Sequence, residues 1–105
     1  MEIICINDLF SPEARQVYEK YGVVTPYLDG VYSCREVVIT RKGTGLLLNE
    51  LVNPMIPIGQ GEDGFKTEPN WNVNRFANLD GSEITQQQLQ QWKTQKKDLP
   101  ILENM

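Results

Sequence analysis

The sequence predicts a small, mainly β domain of the α+β kind: a compact β-barrel or a strongly bent antiparallel sheet carrying two short helices. Three observations point there. Short runs rich in valine, isoleucine and aromatic residues recur along the chain, separated by Asp-Gly and other glycine-containing turns. One hairpin signal, Arg41-Lys42-Gly43-Thr44-Gly45, lies between two of the longest apolar runs. Only two stretches carry helical signals, at about residues 12–21 and 86–97.

Residues 2–7 form the first β-rich run, which stops at Asn7-Asp8. Ser11-Pro12-Glu13 then supplies an N-cap, a first-turn proline and an acid at the positive helix end. Ala14, Val17, Tyr18 and Tyr21 share one face at i, i+3, i+4 and i+7, and Gly22 suits the position just past a helix. This predicts a helix over 12–21. The connector from Val23 to Leu28 is broken by Pro26, and Asp29-Gly30 marks a turn. Val31–Thr40 reads as the longest strand, with Gly45–Val52 as its return.

Residues 53–70 hold Pro54, Pro57, Gly59, Gly61, Gly64 and Pro69, the chemistry of a long loop. Trp71–Phe76 alternates as a strand, and Asp80-Gly81 is a turn. Thr85 with Gln88 matches a capping box, and Ile84 with Leu89 a hydrophobic staple. These open a helix expected over 86–97, whose apolar side is little more than Leu89 and Trp92. Residues 1–98 are expected to make one domain and 99–105 a tail.

A chain of 105 residues, 40% of them apolar, can bury one core without disulfide or metal staples. The N-terminus shows no basic, hydrophobic leader pattern, and no apolar run approaches a membrane span, so the expectation is a cytoplasmic protein. The two cysteines, Cys5 and Cys34, lie inside apolar runs and read as small buried hydrophobes.

Several motifs follow one another in a recognisable order. They are Gly30-Val31-Tyr32 leading into Arg35-Glu36-Val37, then Gly45–Pro54, then Glu68-Pro69, Asn74-Arg75-Phe76 and Leu79-Asp80-Gly81. In this the chain resembles a group of small uncharacterised proteins of phages, prophages and mobile elements of gut bacteria, over residues 2–81. The resemblance implies an SH3-like β-barrel and an accessory role in the bacterial cell or the infected host. It assigns no catalytic residue, and this chain departs from the simplest pattern by inserting the helix at 12–21 and adding the one at 86–97.

Chemistry is poorly served by the residue types present. There is no histidine, so the usual proton shuttle near neutral pH is missing, and two cysteines alone do not make a zinc site. Cys34 neighbours Arg35, but successive strand residues face opposite sides, so the guanidinium should not sit over the thiol. Glu36 and Glu50 can oppose each other across the hairpin, although facing solvent or pairing with Arg35 or Arg75 explains them as well. Gly43-Thr44-Gly45 joins two strands and opens no helix, so it is not a phosphate loop. The reading is of a protein that is not an enzyme, uses no cofactor or metal, and acts by binding another macromolecule, a protein first of all.

Tyr27, Tyr32, Trp71 and Phe76 are the aromatic candidates for such a binding groove, against the plainer reading that they fill the core. The alternative is a nucleic-acid-associated module using Arg41, Lys42, Lys93, Lys96 and Lys97. The net charge of −4, from 10 basic and 14 acidic residues, counts against it.

Overall fold

The computed structural model describes residues 2–40, 43–57 and 66–96. Its frame is an antiparallel sheet built on one long strand. β1 (Glu2–Cys5) leads through α1 (Pro12–Tyr21) to β2 (Val31–Thr40), which turns back into β3 (Gly43–Leu48). β4 (Ile56–Pro57) and β5 (Lys66–Thr67) pair only with each other. β6 (Trp71–Asn72), a 3₁₀ turn over Val73–Arg75 and β7 (Phe76–Asn78) follow, then α2 (Gln86–Gln90) and β8 (Thr94–Lys96). The sheet runs β6-β3-β2-β1-β7, with β8 added to β2.

The bend lies in β2. Its first residues pair with β1, Tyr32 opposite Ile3, and its later residues pair with β3, Val37 opposite Leu46. The register shifts between Cys34 and Glu36, so Arg35 is the extra residue of a β-bulge, a device that bends a strand and re-aims its side chain. The re-aimed Arg35 guanidinium donates to the Leu48 carbonyl at 3.3 Å and to Glu68 Oε2 at 2.7 Å. The same Glu68 oxygen accepts from the Asn53 backbone N–H at 3.0 Å. The two end strands, β6 and β7, do not pair with one another. Of the two shapes expected, the strongly bent, unclosed sheet is the one present.

The core gathers Ile3 and Cys5 of β1, Tyr32 and Val37 of β2, Leu46 and Leu48 of β3, then Trp71, Phe76, Ile84 and Leu89, with Tyr18 reaching in from α1. Val37 and Val38 are adjacent and both buried, as are Leu46 and Leu47. Neighbouring strand residues face opposite sides, so the middle of the sheet is covered on both faces.

Expectations and structure part in four places. The return strand expected over Gly45–Val52 runs instead over Gly43–Leu48. The helix opened by Thr85 ends at Gln90, and the chain returns as β8 to pair in parallel with Val37–Ile39. The capping box is present, but Leu89 is the only buried residue of α2, and so thin an apolar side does not hold a longer helix against a sheet edge offering main-chain hydrogen bonds. The strand expected over 71–76 is interrupted by the 3₁₀ turn, because the Asn72 side chain accepts from Asn74 N–H at 2.8 Å and caps a turn instead of extending the ladder. The expected loop at 53–70 carries the β4–β5 pair.

Candidate functional site

Exposed apolar side chains gather on residues 6–10 and the connector 23–28, beside α1. α1 is fixed at both ends: Ser11 Oγ accepts from Ala14 N–H at 3.1 Å, and Gly22 adopts φ 71° at the C-terminus. Arg15, Tyr18 and Glu19 share one side of it, at i, i+3 and i+4. Tyr18 points inward and meets Phe10 and Trp71 edge-to-face, with all three centroid separations between 5.6 and 5.8 Å.

Arg75 locks the neighbouring loop. Its guanidinium stacks 3.9 Å from the Phe10 ring centroid and donates to the Asn7 and Leu9 carbonyls at 3.1 and 2.8 Å. The 3₁₀ turn that interrupts the expected strand is what carries Arg75 to this position.

The connector is held at Val23, Val24, Tyr27 and Leu28. Asn53, itself buried, accepts from Val24 N–H at 2.8 Å and donates to the Val24 carbonyl at 2.9 Å, standing in for a paired strand. The Tyr32 hydroxyl accepts from Tyr27 N–H at 3.1 Å, and the Asp8 carboxylate accepts from Leu28 N–H at 3.0 Å. Asp29 N–H and Gly30 N–H reach the Cys5 and Tyr27 carbonyls at 2.8 and 2.9 Å. A Cβ at Gly30 would stand 2.7 Å from the Tyr32 hydroxyl, so this close approach needs glycine.

On this fixed backbone Leu9, Val24 and Tyr27 are each more than half exposed, and Leu28 nearly so. Beside them opens a cleft of about 340 Å³ with Phe10, Tyr18 and Pro26 in its apolar lining and Asp8, Arg15, Glu19 and Tyr27 among its polar groups. Two smaller hollows lie elsewhere. One of about 270 Å³ sits between β2, β3 and α2. One of about 220 Å³ touches Ile6, Phe76 and Ile84.

The four aromatic candidates fare differently. Tyr27 is 65% exposed, while Tyr32, Trp71 and Phe76 are 4, 1 and 3% exposed and belong to the core. Tyr32 lies opposite Ile3 on the inward face of the sheet, which is why its ring is lost to the surface and only its hydroxyl serves the connector. Asn53 and Arg75 behind this face fall inside the runs Gly45–Pro54 and Asn74-Arg75-Phe76, which give no sign of this role, and its remaining members, Leu9, Val24 and Leu28, carry no sequence motif. Their only signal is the concentration of apolar residues in a connector otherwise marked by Pro26.

Among the basic candidates, Arg41, Lys42 and Lys97 lie outside the described residues. Lys93 is exposed and its carbonyl accepts from Val37 N–H at 2.7 Å, and the backbone of Lys96 pairs with Ile39.

The reactive side chains are quiet. Burial pushes the Cys34 thiol up to about 11, against a backbone hydrogen bond at Glu36 and weaker charge effects, so it stays protonated near neutral pH. Burial likewise raises Cys5, and both cysteines are free thiols. Glu50 is taken up by Ser33, whose N–H and hydroxyl donate to its carboxylate at 2.8 and 2.7 Å. Arg35 and Arg75 are engaged elsewhere, so neither partners Glu36 or Glu50 as the sequence allowed. Among the described residues no three cysteine, aspartate or glutamate side chains converge on a point where a metal ion could sit. Among them, too, no helix is long and apolar enough to cross a membrane.

The fold and the site define a bent antiparallel β-sheet domain with an aromatic-backed, partly apolar face. Comparison with known proteins finds no matching family model, no matching curated protein and no matching solved structure.

Proposed function

We propose that this chain is a non-enzymatic binding domain that takes a protein partner on the face of Leu9, Val24, Tyr27 and Leu28. The observation that carries the reading is exposed apolar side chains on a backbone pinned at Val24, Tyr27 and Leu28, beside a cleft with charged groups. Such pre-organisation lowers the ordering cost of association, and a rigid tyrosine at the centre of a patch is a common anchor. Residue types suited to binding rather than proton transfer support the same view. The resemblance to small proteins of phages and mobile elements supports an accessory role in the bacterial or infected cell.

A photo-crosslinking phenylalanine analogue in place of Tyr27, irradiated in the host cell, should give one discrete protein adduct. The same analogue at Glu13, exposed on the opposite side of α1, should give none. Equal labelling from both positions, or none from either, would remove the proposal.

A nucleic-acid reading has one observation in its favour. β8 pairing sets the Lys93 and Lys96 backbone alongside β2. A salt-dependent shift of DNA or RNA in a gel would support it; the acidic balance of the chain predicts no shift even at low salt.

A further inference from the structure

We propose that the β2 edge at Val37–Ile39 is a strand-acceptor site for an extended segment of a partner protein, and that β8 is its displaceable stand-in. This site is separate from the Tyr27 face. The edge takes a strand in one defined way: β8 runs parallel to β2, with Thr94, Gln95 and Lys96 opposite Val37, Val38 and Ile39. Val38 lies opposite Gly45 in the β3 ladder, while Val37 N–H turns the other way and donates to the Lys93 carbonyl at 2.7 Å. The main chain of β2 is therefore complete on one side and dependent on β8 on the other.

The occupant is polar in sequence. Its residues are Thr94, Gln95 and Lys96, none of them apolar. Thr94 borders the hollow of about 270 Å³ whose other walls include Val37, Ile39 and Leu89. The Thr94 hydroxyl donates back to the Trp92 carbonyl at 3.0 Å rather than reaching across. Ile39 stays more than a third exposed. The chain leading into β8 is held lightly: α2 is 5 residues long with Leu89 as its single buried side chain, and Trp92 is half-buried.

A segment that repeats the main-chain bonds and places an aliphatic side chain at the Thr94 position would keep what β8 supplies and fill the hollow as well. The expected partner is thus an extended, β-branched or leucine-containing segment running parallel to β2, recognised through its backbone at alternate residues.

The probe is a fluorescent peptide spanning residues 91–97 with Thr94 replaced by leucine. Gln95→Pro, which cannot donate to a ladder, loosens β8 in the full chain. This variant should bind the peptide roughly tenfold tighter than the unmodified chain, because its own strand no longer competes. Absent or equal binding would overturn the proposal. So would a dimer of the Gln95→Pro chain in solution, since the edge would then serve a second copy. Should that variant not fold, amide exchange in the unmodified chain decides. Val37 N–H should exchange faster than Val38 N–H, by local release of β8, and equal protection of the two would overturn the proposal.

Discussion

The two helices of this protein begin alike and end differently. Each has a hydroxyl N-cap, Ser11 for α1 and Thr85 for α2, and each is followed by good helix formers. α1 runs 10 residues and α2 only 5. The difference lies in what waits beneath. α1 sets Tyr18 against Phe10 and Trp71, with Arg75 stacked on the outer ring, and is closed by Gly22. α2 offers Leu89 to the core and then meets an open strand edge. A cap decides where a helix starts; the tertiary partner decides how far it continues.

The strongest way to break the contrast is Trp71→Ala. It removes the ring on which both Phe10 and Tyr18 lean and should cost about 3–5 kcal/mol of global stability, read from denaturant midpoints. The variant should also lose the fixed geometry of residues 6–10. A loss below about 1 kcal/mol would mean that the aromatic cluster is not what secures that end.

The caps sharpen the comparison at a smaller scale. Ser11→Ala should lower global stability by about 1 kcal/mol, because α1 is part of the cooperative body. Thr85→Ala should leave the global transition within about 0.5 kcal/mol and appear instead as faster amide exchange confined to α2 and β8. Equal global losses would show that the two ends form one cooperative unit.

The smallest effect tests the sheet common to both ends. Partial burial pushes the Glu50 carboxyl up, but the hydrogen bonds from Ser33 outweigh it and hold the group below its ordinary value. A depressed carboxylate adds stability at neutral pH. That contribution is lost as pH falls from the unfolded value through the folded one. Glu50→Gln should therefore lower the neutral plateau of the stability–pH curve by the same small amount by which it flattens the acid limb. An unchanged acid limb would assign the loss to other carboxylates.

Much of this architecture is legible in the residues. Ser11-Pro12 and Gly22 bound α1 correctly, and the apolar runs on either side of Gly43 pair as the hairpin. Illegible were the events that depend on a distant partner. Nothing local in Gln86–Lys97 shows that β2 has a free edge, so the glutamine run reads as a longer helix than forms. Alternation over Trp71–Phe76 suggests a strand, while the Asn72 side chain ends it for a reason read only at hydrogen-bond scale.

The candidate face divides in the same way. Tyr27 is visible from its place beside Pro26 in a connector. Asn53, which holds Val24 from a position 29 residues away, is not. Tyr32, Trp71 and Phe76 carry the same chemistry as Tyr27 but sit where the sheet faces inward, and strand phase is settled by register rather than by residue type.

The Arg35 bulge reaches further than the bend it makes. By drawing Glu68 onto both its own guanidinium and the Asn53 N–H, it ties off the base of the excursion that leaves β3 and returns at β6, and the Ile56–Thr67 pair ties it again one step out. One carboxylate thus answers for three places at once, the bend of β2, the end of β3 and the departing chain at Asn53, and its loss would loosen all of them together.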